Sequence, residues 1–243
     1  MSSRKKQSIH FDRLYHLYQE HYGDSLTEKY RHEIFCKKIF LNLNLNNKKV
    51  LDLGCGSGQL SLYLKKIFPK INLIGIDISK NNLKRYPFKN SLLDIRKNYL
   101  KKKFDIVISF GLLHHVAYDL KNSIKNISKM VKKNGLFIFV EPNSRYILNP
   151  IRKLWYKIDP LFDSDNEKAF SYDSILKLTN DFKEIKKFYF GFVGFFLINN
   201  SMIFRLNKKI KFILFKPLII LDKIFSILPS FFLASYVGIL KKK

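Results

Sequence analysis

Cysteine and acidic residues are the scarce components of this sequence. Its 243 residues include only two cysteines, Cys36 and Cys55, too few for the disulfide framework of a small secreted domain. Cys55 also stands inside a glycine-rich stretch where no partner is expected. A reducing, cytoplasmic setting is the expectation that follows. The N-terminus is polar and basic and lacks the continuous apolar core of a secretory signal. No apolar run reads as membrane-spanning: the most apolar stretch, 205–232, is interrupted by Lys208, Lys209, Lys211, Lys216, Asp222 and Lys223 and contains Pro217. Internal repeats and low-complexity tracts are absent too.

The acidic deficit is large, with 19 Asp and Glu against 45 Lys and Arg and a formal net charge of +26. Such an excess attracts nucleic acid, anionic lipid or phosphorylated substrates and by itself selects none of them. The abundance of Lys alongside Asn and Ile also fits a compositional bias across a genome. A hydrophobic fraction of 47% with 15% aromatics excludes a disordered chain, because that much apolar surface offsets the entropy of ordering. The length suits one large domain with insertions.

Phe11, Leu14, Tyr15 and Tyr18, then Ile34, Phe35 and Ile39, recur at helical spacing and are broken at Tyr22-Gly23-Asp24-Ser25, which predicts a two-helix cap over 1–46. An asparagine-rich linker leads into Val50. Short apolar runs then alternate with amphipathic ones, the pattern of βαβ units in a parallel sheet. Strands are predicted at 49–53, 71–76, 91–94, 105–110 and 136–140, with crossover helices at 58–68, 79–86 and 119–132. A further helix is predicted at 171–178, and late strands at 187–198 and 234–240. In 205–232 a helical wheel gathers the charges on one side and Ile213, Leu214, Leu218, Ile220, Leu221, Ile224, Phe225 and Leu228 on the other.

Val50-Leu51-Asp52-Leu53-Gly54-Cys55-Gly56-Ser57-Gly58-Gln59 places a buried strand ahead of three glycines at alternate positions, with a helix after them. Glycine permits positive φ and close approach of a ligand, and the helix start offers free N–H groups. A pyrophosphate loop would read G-x-G-x-x-G, whereas here an aspartate stands two residues before the first glycine and would repel pyrophosphate. A ligand carrying an ammonium group is the better electrostatic match.

At this motif the sequence resembles the class I S-adenosylmethionine-dependent methyltransferases, and the likeness continues in order through 50–143. Asp77 in Ile74-Gly75-Ile76-Asp77-Ile78-Ser79 stands where the family's acidic residue holds the ribose hydroxyls. Asp94 stands where an acidic residue often meets the adenine amino group. Phe110-Gly111-Leu112-Leu113-His114-His115-Val116 is similar to the loop beneath the cofactor sulfonium, and 135–143 is similar to the family's post-fifth-strand motif. The usual glycine ahead of Phe170 is missing.

The resemblance implies an α/β, Rossmann-like, seven-stranded, mostly parallel sheet with helices on both faces and a helical cap. The methyltransferase domain would cover 47–243, with insertions at about 144–168 and 205–232, the second an apolar helical segment before the last strand. It implies S-adenosyl-L-methionine as cofactor, held by Asp52, Gly54, Cys55, Gly56, Gly58, Asp77, Ile78, Asp94 and Leu112. His114 and His115 are the candidate general bases for a hydroxyl acceptor, and no metal ligands are assigned.

Arg145, Arg152 and Trp155 are candidate acceptor contacts, and Tyr22 and Tyr30 either close over the cofactor or pack in the core. Ser109-Phe110-Gly111-Leu112 lacks the Asn/Asp-Pro-Pro-aromatic motif of nucleic-acid amino methylases, and Cys55 is not in the loop that cytosine-C5 enzymes use. The expected acceptor is therefore a small molecule or a lipid- or sugar-linked one, methylated at oxygen or carbon. RNA methylation and non-catalytic cofactor binding are the alternatives. Segment 205–232 would be a lid, a subunit interface or a peripheral contact with the anionic inner face of a membrane.

Overall fold

A computed structural model describes residues 23–159, 167–199 and 204–243 together with residues 9, 10, 12 and 162. Phe11, Leu14, Tyr15, Tyr18 and Tyr22 lie outside the described residues.

The elements follow the predicted alternation. Helix α1 (Ser25–Arg31), a π-helical segment (His32–Cys36) and α2 (Lys37–Phe40) run continuously and lead to β1 (Lys49–Leu53), α3 (Gln59–Ile67), β2 (Asn72–Asp77), α4 (Lys80–Arg85) and β3 (Lys89–Leu92). Next come β4 (Phe104–Phe110), a 3-10 turn (Leu113–Asp119), α5 (Leu120–Met130) and β5 (Val131–Pro142), then α6 (Asn149–Ile158), α7 (Tyr172–Leu176) and β6 (Phe182–Phe190). A π-helical turn (Phe195–Asn199), α8 (Lys208–Ile224), two 3-10 turns (Phe225–Ile227, Ser230–Phe232) and β7 (Ser235–Lys242) complete the chain.

The seven strands form one sheet in the order β3-β2-β1-β4-β5-β7-β6. The pairings among β3, β2, β1, β4 and β5 are parallel, while β7 runs antiparallel to both neighbours. This is the expected seven-stranded, mostly parallel architecture. The strand order reverses between β1 and β4, which opens a crevice at their carboxyl ends.

Alternation along the central strands divides the core in two. Val50, Ile106, Ile108, Ile138 and Val140 face one layer, where Ile34, Phe35, Ile39 and Phe40 of the N-terminal helices pack with Leu64. Leu51, Leu53, Val107, Phe137 and Phe139 face the other, against Ile124, Ile127 and Met130 of α5 and Ile175 of α7. The described part of the cap is thus one face of the main core.

Two sequence expectations are corrected. The predicted strand over 187–198 is β6 at Phe182–Phe190; Gly191, at φ 89°, ends it, and the apolar run beyond forms the helical turn Phe195–Asn199. An apolar run of that length does not by itself distinguish strand from helix. In α8 the expected segregation of charge from apolar residues fails, because Lys211 and Asp222 point inward and are buried with Leu218 and Ile219, while Ile213, Ile220 and Ile224 are exposed.

Each inward charge has partners that explain it. The Lys211 ammonium bonds the Asp24 carboxylate and, at 2.6 Å, the Thr27 hydroxyl. Asp24 also caps α1 by accepting from the Leu26 and Thr27 N–H groups. Burial opposes ionisation of Asp24, yet its bonds to Lys211 and Thr27 hold the carboxyl below its ordinary pKa. Asp222 accepts from the Tyr30 hydroxyl and from the Phe192 and Gly194 N–H groups. Segment 205–232 is therefore bound polar-to-polar onto the N-terminal helices.

Tyr30→Phe deletes one donor to the buried Asp222 carboxyl and creates no clash. It is expected to lower stability by about 1–3 kcal/mol, read as a shift in the urea unfolding midpoint.

Candidate active site

The crevice at the carboxyl ends of β1, β2, β4 and β5 opens into a cavity of about 860 Å³. Its first wall is the turn after β1. Gly54, Gly56 and Gly58 all have positive φ, and a Cβ placed on Gly56 would meet nothing within 4 Å. The backbone there is bare towards the cavity. Asp77, ending β2, accepts the Gly56 N–H at 2.9 Å through one oxygen and the Ser79 N–H at 2.8 Å through the other. The Ile78 N–H donates to the same carboxyl, and burial holds its pKa above the ordinary carboxylate value.

Asp52 is buried beneath the turn and accepts from the Ser61 hydroxyl at 2.7 Å, which in turn lies 2.7 Å from the Tyr86 hydroxyl. Burial, opposed by the Ser61 bond and assisted by Asp77, pushes its carboxyl up to about 7. Cys55 is buried, and desolvation with the nearby carboxylates drives its thiol far up, so it is no nucleophile.

The opposite wall is the loop after β4, and one side chain holds it. Glu141, buried in β5, accepts the backbone N–H groups of Leu112 (3.0 Å), Leu113 (2.7 Å) and His114 (3.1 Å) and contacts His114 Nδ1 at 2.7 Å. Burial and the neighbouring His115 lower the His114 pKa despite the opposing pull of Glu141. At neutral pH the ring is uncharged. His115 packs against His114 with ring centroids 3.9 Å apart and the planes inclined at 39°, and its Nδ1 lies 3.2 Å from Glu167 Oε1. One ligand atom from each of His114, His115 and Glu167 falls within 4.8 Å of the others, so this trio could also accept a divalent cation.

A sequence model described as a methyltransferase domain matches residues 26–185. The chain belongs to this methyltransferase family. It is 33% identical over 108 residues to a ubiquinone biosynthesis O-methyltransferase from Pelagibacter ubique, covering 41% of this chain and 44% of that protein. It is 28% identical over 170 residues to a tRNA U34 carboxymethyltransferase from Campylobacter fetus, covering 60% and 59%. The chain spans about half the length of the curated relatives it matches. A crystal structure of a SAM-dependent methyltransferase from Archaeoglobus fulgidus superposes with a TM-score of 0.63 at 20% identity, covering 94% of this chain and 99% of that one.

Within this methyltransferase fold most of the residues singled out in the sequence converge. Asp52, Gly54, Cys55, Gly56, Asp77, Ile78, Asp94, Leu112, His114 and His115 all line the cavity. Gly58 does not: it is the N-cap of α3, and a Cβ there would sit 2.8 Å from Pro87. Asp94 lies two residues beyond the end of β3, and Arg96 grips both of its oxygens at 2.9 and 3.1 Å. Tyr30 is wholly buried away from the cavity as a core aromatic, and Arg31, His32 and Phe35 line it instead.

The guesses for acceptor contacts fare worse. Arg145 is exposed and paired with Asp173 at 2.8 Å, and Trp155 bonds Asp159 and packs on Phe204. Neither lines the cavity. Arg152 does, but its guanidinium is committed to Asn149 and to the carbonyls of Asn143 and Ala234. Tyr156, Phe162, Glu167 and Phe195 form that side. Glu141 could have been found by the logic that found Asp77, an acid ending an apolar strand; Glu167 carries no local signal.

Asp52 makes stability depend on pH. Between the ordinary carboxyl value of 3.8 and about 7 the folded chain holds a proton that the unfolded chain has released. Stability therefore falls as pH rises through that window and levels off above it. Asp52→Asn cannot ionise and is expected to flatten this slope in thermal melts from about pH 4 to about pH 8.

Proposed function

We propose that this chain transfers a methyl group from S-adenosyl-L-methionine to an oxygen or carbon of a small or lipid-linked acceptor. The observation that carries the reading is one cavity with two unlike walls, the bare glycine turn with its carboxylates facing the His114–Glu141 pair.

The first wall fits the cofactor. The open space over Gly56 admits a ligand against the backbone, and the Asp77 carboxyl, held in place by backbone N–H groups at the cavity wall, suits the hydroxyls of a ribose. Asp77, joined by Asp52 as that carboxyl ionises near pH 7, favours a cationic ligand and disfavours pyrophosphate. Gly54, Cys55, Ile78 and Leu112 complete the cradle, and Asp94 contributes from within its clamp by Arg96. Gly58 acts indirectly, by setting the turn into α3. When bound, the cofactor supplies an activated methyl group for in-line displacement, which leaves alignment and proton removal to the protein.

For a hydroxyl acceptor, His114 takes the proton at Nε2. Its Nδ1 is engaged by Glu141, which fixes the tautomer with the lone pair on Nε2, and burial keeps the ring neutral at physiological pH. Glu141 acts as a positioning residue. His115, braced by Glu167, forms the adjoining surface. Tyr156, Phe162 and Phe195 offer an acceptor site lined by aromatic rings, beside the Glu167 carboxyl and the engaged Arg152.

Asp77→Ala removes the proposed diol acceptor and is expected to weaken binding of the cofactor at least about tenfold in calorimetry. Unchanged affinity in both Asp77→Ala and Gly56→Val would sink the assignment.

His114→Asn is expected to lower turnover of labelled cofactor about 100-fold on a hydroxyl acceptor while leaving cofactor affinity intact. In the wild type the rate should fall only at pH below the ordinary imidazole value, because the His114 pKa is lowered. Absence of any transfer to cell-extract acceptors, with cofactor binding retained, would leave a binding protein.

A further inference from the structure

Helix α6 presents two unlike sides. Arg152 and Tyr156 line the cavity, whereas Ile151, Leu154 and Ile158 stand out in solvent at helical spacing, Ile158 65% exposed. The loop before the helix adds the exposed Ile147 and Leu148. Helix α8 repeats the pattern. Its inner side is fixed by Lys211, Leu218 and Asp222, and its outer side carries Ile213, Ile220 and Ile224 at intervals of seven and four residues, continued by Ile227, which is 88% exposed. Scattered exposed isoleucines are ordinary, but two unpartnered stripes of them are not.

The stripes adjoin. The Ile147 N–H bonds the Phe231 carbonyl at 2.7 Å, the Asn143 amide bonds the Ser230 carbonyl at 2.8 Å, and Arg205 grips both oxygens of Asp159 at 3.1 Å. These links tie the start of α6 to the turns after α8, and the end of α6 to the segment before α8.

We propose that α6 and α8 together form a docking face for an anionic lipid bilayer, with the acceptor side of the cavity opening beside it. The charge pattern selects that occupant. Lys153 and Lys157 flank the α6 stripe, and Lys209 and Lys216 lie along the α8 stripe, all four exposed. Among the described residues, the acids of these two helices and their caps are engaged, Asp222 with Tyr30 and Asp159 with Arg205. Isoleucines with lysines at their margins suit an interface where apolar side chains enter the acyl boundary and ammonium groups rise to phosphates. A second copy docked on the same face would bring lysine against lysine. Among the described residues no helix is long and apolar enough to cross a membrane, so the face lies on the bilayer.

The acceptor would then reach the cavity from the lipid, past Tyr156 and Phe162, as a hydrophobic molecule resident in the membrane. That last step rests on the methyl-transfer reading; binding to the bilayer does not.

Flotation with phosphatidylcholine vesicles, with and without phosphatidylglycerol, tests the face on the full chain. Wild type is expected to float with the anionic vesicles and to dissociate as salt rises. Ile151→Asp with Leu154→Asp, and separately Ile220→Asp with Ile224→Asp, should each lower partitioning at least about tenfold. These four side chains are exposed, so melting temperature and cofactor affinity should not change. Trp155, the chain's only tryptophan, lies on α6 and gives a readout without substitution: its emission should shift to the blue on anionic vesicles alone.

Wild type that stays in the soluble fraction on anionic vesicles with no shift in emission overturns the proposal. So does a concentration-dependent dimer abolished by the same substitutions. Calorimetry of the cofactor on the same samples keeps the two readings apart, because loss of vesicle binding with intact cofactor affinity leaves methyl transfer standing.

Discussion

The arrangement at the cavity depends on the carboxylate of Glu141. It is buried at the carboxyl end of β5, where an uncompensated charge would be costly. Four donors meet it, the N–H groups of three successive residues after β4 and the ring of His114. Those N–H groups open the 3-10 turn Leu113–Asp119 and have no partner within it, so carboxylate and turn satisfy each other. The loop is held against β5 by this exchange. Leu112 is thereby brought over the glycine turn, where a Cβ on Gly54 would touch it at 3.0 Å.

The same contact explains how two chemically distinct walls come to face each other. Asp52 and Asp77 arise from β1 and β2, on one side of the point where strand order reverses. His114 and Glu141 arise from β4 and β5, on the other. A parallel sheet brings all four to the same edge because every strand ends there. Residues far apart in sequence become neighbours with no long connection buried, and the helical layers supply the rest of the enclosure.

Legibility of the sequence followed the same division. Glycines at alternate positions with aspartates at strand ends are local signals, since backbone freedom and a capped strand end need no distant partner. Asp52, Gly54, Gly56 and Asp77 were readable for that reason, and so was the alternation of parallel strands with crossover helices. Glu167 was not readable, because its role comes from meeting His115 across more than fifty residues. Arg145 and Trp155 were misplaced for the complementary reason: they are polar and aromatic residues in the right loop, but on the outward side of it. A helical wheel failed in α8 because it counts charge as outward, and Lys211 and Asp222 had buried partners waiting on α1.

That inversion changes what the basic excess means. A lysine counted in a net charge of +26 is not automatically a surface charge, and Lys211 serves the fold instead. The lysines left over on α6 and α8 share their surface with isoleucines that the core did not take. If the charge were only compositional bias, lysines and isoleucines would be spread without regard to the cavity. Instead, the helix that presents Arg152 and Tyr156 to the cavity turns its isoleucines outward beside its lysines, and the segment joined to it does the same. The fold thus couples one wall of the cavity to an amphipathic outer surface through a single helix, and a rotation of α6 that buried Ile151 would also withdraw Tyr156 from the cavity.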